Sequence, residues 1–404
     1  MLETIRAYAA ERFAAATDEY PVRQRHYRYY LALAERHGTE QALMSAVGRA
    51  HLARLDADID NLHAALAHAV GQAGAEPALV MCVAVGRYWR MRARFADALE
   101  WVDEALNMPG TDAYPALRID VLRIKASALW PVGLGAEQPA ALAEAEASAR
   151  ALADPLVLSR VLRDRASYEA GHDALDRAEP FAHEALDLAT AADDKWEIAM
   201  AAYARAMAAP DITELRARVD LAATRLDDVG NAYLLADLFT AAAYGALSMG
   251  GDRDAKEYIA RATPTARGLG NPSLWMLLRG NFGLAALLTG DTDAARHAFR
   301  EELTLSRDLV VLPFASEGLA GLAAVSAVQG DDDRAARLVG AAAEHRYGQP
   351  NDPVDARLDG TFFEPARTRH GADAWDAAAR EGSALGFEDA IAYALQDVDP
   401  DALQ

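Results

Sequence analysis

The chain has almost no cysteine: among 404 residues only Cys82 occurs, so no intrachain disulfide can form, which fits a reducing compartment. Cys82 lies in the apolar run Leu79–Val85 and reads as a small buried hydrophobe rather than a reactive thiol. Lysine is nearly absent too. Lys125, Lys195 and Lys256 are the full set, and none follows a glycine, so there is no G-x-x-x-x-G-K-[ST] phosphate loop. Aromatic residues make up 7%, which is sparse for a carbohydrate cleft. No stretch approaches the ~20 apolar residues of a membrane helix. The first residues lack the apolar core of a signal peptide, so a soluble, cytoplasmic protein is expected. Positive charge is in deficit: 61 acidic against 40 basic residues give a net charge of -21, which disfavours general binding to nucleic acid. No run of alternating β-branched residues suggests a sheet. No H-E-x-x-H or G-x-S-x-G occurs, and the spacing of His51, His63 and His68 scatters them round a helix, so neither a metal nor a cofactor is expected.

What the chain does have is a period. Ala98, Ala141, Ala178, Leu215, Ala255, Ala295 and Ala335 follow one another at steps of 43, 37, 37, 40, 40 and 40 residues. Four residues further on stand Val102, Ala145, Ala182, Val219, Ile259, Phe299 and Val339. Seven further on stand Ala105, Ser148, Ala185, Ala222, Ala262, Glu302 and Ala342. Small or apolar residues at i, i+4 and i+7 form one helical stripe that packs closely on neighbours. Repeated every forty residues, such a stripe implies stacked helical hairpins, a solenoid. The turn signals agree: Gly251-Asp252, Gly290-Asp291 and Gly330-Asp331 each pair a glycine for the left-handed end of one helix with an aspartate to cap the next. The run Asp331-Asp332-Asp333 is read as capping, not as a magnesium site.

The flanks are not repeats. Residues 1–74 read as a helical cluster: one helix on Leu2, Ile5, Tyr8, Ala9 and Phe13, a second opened by Pro21 and ending at Gly38, and a third from about Leu52 to Val70. Residues 75–347 hold about seven hairpins. Residues 348–404 read as a proline-bearing loop with short helices over Gly348–Pro365, then a helical pair near Ala372–Gly382 and Phe387–Leu395 that caps the open end.

The segment Arg279–Leu303, RGNFGLAALLTGDTDAARHAFREEL, resembles the tetratricopeptide repeat. Asn281-Phe282-Gly283 stands for that family's Asn-Leu-Gly, Gly290-Asp291 for its turn, and Ala295 and Phe299 for the small and aromatic positions of the second helix. Glu302 departs from the usual alanine. Leu2–Ala9, Tyr29–Glu35, Asp58–Leu66, Tyr88-Trp89 and Trp101, with Trp375, Gly382 and Glu388–Leu395 at the far end, resemble the C-terminal arm of bacterial signal-transduction ATPases related to LuxR-type and AfsR-type transcriptional regulators. The resemblance implies an all-α, right-handed tetratricopeptide-like superhelix with an N-terminal helical cluster and a C-terminal cap. The family's ATP site and DNA-reading helix have no counterpart here. The chain is therefore expected to be either a piece of a longer regulator or a shortened gene.

In the tetratricopeptide family the first helix of each hairpin lines the groove. Counting back from the register by 18, 15, 11 and 8 gives Val80, Val83, Arg87 and Arg90, then Arg123, Ala126, Trp130 and Gly133, then Arg160, Arg163, Ser167 and Ala170. Later hairpins contribute Met200, Met207, Tyr244, Leu247, Leu277, Leu284 and Leu287. The early half is an arginine stripe around Trp130; the later half is apolar. Guanidinium groups match carboxylate and phosphate geometry, so the expectation is a non-catalytic groove for an acidic peptide or a small anionic effector. The bland alternative is that the arginines pair with neighbouring acids. At the level of function the rivals are a free-standing scaffold for protein complexes and an α/α-toroid enzyme, which a closed ring of hairpins would favour.

Overall fold

The computed structural model describes residues 19–45, 47–172, 174–346 and 352–396. The helix expected on Leu2–Phe13 and the loop start at Gly348 and Pro350 lie outside them. Among the described residues there is no strand. An N-terminal cluster of α1 (Glu19–His37), α2 (Glu40–Leu43), α3 (Gly48–Ala57) and α4 (Ile59–His68) precedes seven hairpins. These are α5 (Ala75–Met91) with α6 (Phe95–Leu106), α7 (Pro115–Leu129) with α8 (Gln138–Leu152), α9 (Pro155–Gly171) with α10 (Leu175–Ala191), α11 (Lys195–Met207) with α12 (Ile212–Asp228), α13 (Ala232–Ser248) with α14 (Asp252–Leu269), α15 (Pro272–Leu288) with α16 (Thr292–Leu309), and α17 (Leu312–Gln329) with α18 (Asp332–Glu344). The chain is an all-α solenoid. First helices of neighbouring hairpins touch one another, and each second helix packs on the next hairpin's first helix, which curves the stack with the first helices inside.

The register residues lie at the helix crossings. Ala98, Ala141, Ala178, Leu215, Ala255, Ala295 and Ala335 are all buried. At the third stripe position Ser148 is half-buried, and Ala149 beside it enters the core instead. The tightest crossing surrounds Phe299. A Cβ added to Gly283 of α15 would lie 2.6 Å from its ring, and one added to Gly321 of α17 would lie 2.5 Å away. Two glycines on flanking first helices thus make the slot for one aromatic ring.

Turns and caps follow local chemistry. Gly290 and Gly330 have positive φ, and Asp291 and Asp331 accept hydrogen bonds from Ala294 and Arg334 N–H. The fifth hairpin differs from expectation by one residue: Gly250 takes the left-handed conformation, Gly251 occupies the cap position, and Asp252 is the first helical residue. The third N-terminal helix also differs. It is two helices broken at Asp58, whose carboxylate is bound by the Tyr30 hydroxyl (3.3 Å), Asn61 Nδ2 (3.1 Å) and Arg54 (3.0 Å). Such side-chain bonding competes with helix continuation.

The largest difference concerns Gly348–Pro365. From Pro353 this segment is a nearly continuous helical rod, here called the strap: α19 (Pro353–Leu358), a π turn (Asp359–Phe363) and α20 (Glu364–His370). Pro353 sits in the first turn, where no N–H partner is needed. Pro365 lacks the N–H for a regular helical bond and sits just after the π turn. The cap, α21 (Ala372–Ser383) and α22 (Phe387–Leu395), matches expectation closely. Its close approach depends on glycine: a Cβ at Gly340 would lie 1.9 Å from Ala379 O, and one at Gly382 would lie 1.8 Å from Arg337 O.

Ala262 has no accessible surface, so Ala262→Leu is expected to overpack its crossing and cost about 1–3 kcal/mol, as is Gly283→Ala beside Phe299. Chemical denaturation reads both; unchanged midpoints would place the register wrongly.

Candidate ligand-binding hollow

Apolar packing is unevenly distributed along the stack. One large core joins the N-terminal cluster, the first hairpin, Val121 and Ala128 of the second, hairpins four to seven and the cap, whereas the rest of the second hairpin and the third rely on small separate clusters, such as Leu162, Ala185 and Ala189 with Ala201 of the fourth. Charge fills the difference. Arg123 Nε lies 2.6 Å from Asp164 and its Nη1 lies 3.1 Å from Asp120. Arg160 Nε lies 2.7 Å from Glu197, and Arg163 Nη2 lies 3.3 Å from the same carboxylate. The Tyr203 hydroxyl donates to Asp237 at 3.2 Å. Apart from Arg123–Asp120, which lies within α7, each link joins a first helix to the first helix of the next hairpin, so the inner wall carries a ladder of polar rungs.

The predicted site residues separate into three groups. Arg87, Arg123, Arg160 and Arg163 sit in the ladder or beside it, paired with acids, as the bland alternative anticipated. Arg87 Nη2 meets Glu40 of α2 at 3.2 Å and also contacts Met44 Sδ. Arg90 is different: it is exposed and makes no hydrogen bond or ion pair with the described residues. It lies within electrostatic reach of Asp237, Tyr233, Tyr203 and Asp164. A residue of the first hairpin that senses the third, fourth and fifth places all four round one hollow. Trp130 and Tyr244 form the third group, because each is held by another part of the chain. Trp130 packs edge-on against Phe314 of α17, with ring centroids 4.9 Å apart. Tyr244 bonds through its hydroxyl to Asp352.

The Trp130–Phe314 contact means that the curved stack returns on itself, the second hairpin meeting the seventh. Arg49 of α3 reinforces this by reaching Gly268 O, at the end of the fifth hairpin, at 3.4 Å. The later half of the hollow is not an open apolar groove. Leu247, Leu284 and Leu287 are buried, and the strap lies along that side. Arg357 binds Leu247 O (2.6 Å) and Asp252 at the fifth hairpin's turn, and Arg369 binds Ala327 O (2.9 Å) and Asp332 at the seventh's. Val354, Leu358, Phe363 and Ala366 are its buried side.

Electrostatics in the early half converge on Glu40. Burial alone would raise its pKa, but Arg87, Arg163, Arg123 and Arg90 outweigh that and hold the carboxyl below its usual range. Burial works against the charge of Arg123, and Asp164 and Asp120 reverse the effect, holding it above its usual range. Arg163, nearly enclosed, is pushed down by burial despite Glu197. Cys82 is fully buried, and burial pushes its thiol up to about 12, so it is no nucleophile.

Sequence reasoning missed Glu40, Asp164, Glu197 and Asp237. A usable signal existed for Asp164 and Glu197, which stand 41 and 37 residues after their arginines, about one repeat length. Glu40 had none, because its position depends on how α2 folds back over α5.

Fold and hollow together define an all-α helical-repeat module. No protein-family model matches the chain. Over 248 residues, 58% of this chain, it is 31% identical to three proteins named as candidate HTH-type transcriptional regulators, two from Mycobacterium tuberculosis strains and one from Mycobacterium bovis; the match spans 27% of their length. The chain thus covers about a quarter of those relatives. A solved structure from Pyrococcus horikoshii, a signal-transduction ATPase with numerous domains and a tetratricopeptide repeat sensor, aligns over 87% of this chain and 55% of its own at 15% identity, with a TM-score of 0.45.

Arg163 and Glu197 are 6% and 4% exposed. Removing the arginine leaves that buried carboxylate with Arg160 alone, so Arg163→Ala is expected to cost about 1–3 kcal/mol, whereas Arg90→Ala should stay within roughly 0.5 kcal/mol. Equal losses in urea melts would contradict the ladder.

Proposed function

We propose that this chain is a non-catalytic, cytoplasmic sensor arm of a signal-transduction or transcriptional-regulator protein, and that the arginine half of its hollow receives a carboxylate- or phosphate-bearing ligand. The observation that carries the proposal is the pairing of Glu40 with Arg87 at 3.2 Å, in a carboxylate that also lies in the field of Arg163, Arg123 and Arg90 from the first three hairpins. Glu40 shows in cis the chemistry that an incoming anion would use. Arg90, with no ion pair of its own, is the guanidinium left to greet it. The relatives named as transcriptional regulators are consistent with a regulatory setting.

Mechanically, each hairpin touches its neighbours, so small changes of inter-hairpin angle add along the stack. A ligand that prefers one curvature shifts the population by its differential affinity alone. The ladder lies on the inner wall, where curvature would be felt most. The returning stack is the one observation that favours an α/α-toroid enzyme.

Two anionic probes test the proposal, inorganic pyrophosphate and a hexaglutamate peptide, titrated calorimetrically. Binding should weaken with salt. Arg90→Ala should lower affinity about tenfold, the worth of one charge-assisted hydrogen bond, and Glu40→Gln should raise it. No binding of either probe, or indifference to both substitutions, overturns the arginine site. A pull-down yielding a stable protein set in place of a bound small molecule would favour the scaffold.

A further inference from the structure

Two arginines of the strap land on equivalent places in the repeat. Arg357 donates to Leu247 O at 2.6 Å and to the Asp252 carboxylate at 2.9 and 3.1 Å. Arg369 donates to Ala327 O at 2.9 Å and to the Asp332 carboxylate at 2.7 and 3.1 Å. Leu247 and Ala327 stand eight residues before the register alanines Ala255 and Ala335, and Asp252 and Asp332 stand three before them. Each notch thus joins a carbonyl in the last turn of a first helix, where regular intrahelical partners run out, to a carboxylate in the first turn of the second helix. One guanidinium has donors enough for both. At the position of the acid the other hairpins hold Phe95, Gln138, Leu175, Ile212 and Thr292. Hairpins five and seven therefore carry the acid, and they are the two that the strap grips.

Spacing and apolar stripe agree with the notches. The first helices α13, α15 and α17 touch in sequence. Packed helices lie about 8–10 Å apart, so two steps separate the notches by roughly 16–20 Å. Twelve helical residues, the interval from Arg357 to Arg369, rise about 18 Å. Between the arginines the π turn keeps the buried positions Val354, Leu358, Phe363 and Ala366 on one side, because the step from Leu358 to Phe363 is five residues, the π spacing. The grip is light for a rod of this length. Thr361, Glu364 and Pro365 are exposed, and a cleft of about 450 Å3 remains between Thr361, Phe362 and Pro365 on the strap and Ala327 and Gly330 on the seventh hairpin. At its start the strap is held further by Tyr244 on Asp352 and by Arg346 on Asp355.

We propose that hairpins five to seven present a docking groove for a partner protein's helix that carries two arginines twelve residues apart beside an apolar stripe, and that the strap fills this groove in cis until such a helix displaces it. The strap shows what the groove accepts. Its selectivity has two sources. A lysine lacks the planar fork that binds a carboxylate through two donors while reaching the carbonyl beside it. A helix with arginines seven residues apart spans only about 10 Å, which sets the second one at hairpin six, where Thr292 replaces the acid. The strap is joined to the chain at both ends and competes at an effective concentration of roughly millimolar order, so only a helix that matches both notches and the stripe displaces it. The groove rests on its own residues and does not depend on the arginine half binding an anion.

Fluorescence anisotropy with a labelled synthetic peptide of the strap's own sequence, residues 352–371, tests it on the full chain. Arg357→Ala with Arg369→Ala loosens the strap and leaves both notches intact, so this chain should bind the peptide roughly tenfold or more tightly than the wild type does, the worth of the charge-assisted hydrogen bonds lost from the competitor in cis. Adding Asp252→Asn and Asp332→Asn should remove the binding, and a peptide with both arginines replaced by alanine should not bind. No binding to the loosened chain overturns the proposal, as does equal binding by the alanine peptide, or equal affinity in the wild-type and loosened chains. Should the double variant fail to fold, Arg369→Ala alone, a change at an exposed side chain, decides by the same comparison. A wild-type chain that sediments as a dimer, and that Asp252→Asn returns to a monomer, assigns the groove to a second copy's strap and overturns the partner helix.

Discussion

Everything in this molecule depends on how closely neighbouring helices approach. The alanine register, the glycine pair around Phe299 and the glycine-on-backbone contact at the cap each remove atoms from a crossing so that the next helix can come near. Interiors packed at such density do not deform gradually. The angle between hairpins is thus set by a few small side chains, and summing that angle over seven hairpins brings α17 back to Trp130. Without the small residues there would be no return, and without the return there would be a long open spiral in place of a bounded hollow.

Within that frame the hollow has two unlike halves. In the first, apolar packing thins out, and cohesion passes to Arg123–Asp164 and Arg160/Arg163–Glu197. Buried ion pairs contribute little net stability, but they punish a wrong register severely because each lost partner strands a charge. In the second half the wall is apolar, and the chain covers it with its own strap, clamped at both ends by arginines that bind carbonyls at helix C-termini as well as aspartates. Each half therefore carries a segment from outside the repeats: Glu40 among the arginines, the strap along the leucines. Flank and repeat form one system, each half of the hollow being occupied in part by the chain itself.

Much of this was legible in the sequence. The forty-residue step found the crossing residues apart from Ala149, and the Gly-Asp turns found the bends of the last three hairpins, one of them displaced by a residue, because local helix chemistry repeats with the fold. Long-range returns were not legible. Nothing in the spacing links Trp130 to Phe314, since that meeting is a property of accumulated angle. Pro353 and Pro365 read as breakers and make this segment look like a loop with short helices, whereas one sits in a first turn and the other follows a π turn. The arginine stripe is legible in the spacing, but its partners are not, because Asp164, Glu197 and Glu40 become neighbours only after stacking. Glu302 is legible as a departure from the repeat, but the room for it, beside Gly280 and Gly318, comes from two other helices.

The account's central claim is that accumulated hairpin angle closes the stack until the second and seventh hairpins touch. Spin labels at the exposed positions Leu134 and Val310, beside those two hairpins, report the separation directly by pulsed electron resonance; Cys82, buried, would not compete for label. The account predicts a single narrow, short distance that broadens on Trp130→Ala. A long or broad distribution in the otherwise unaltered chain would contradict it.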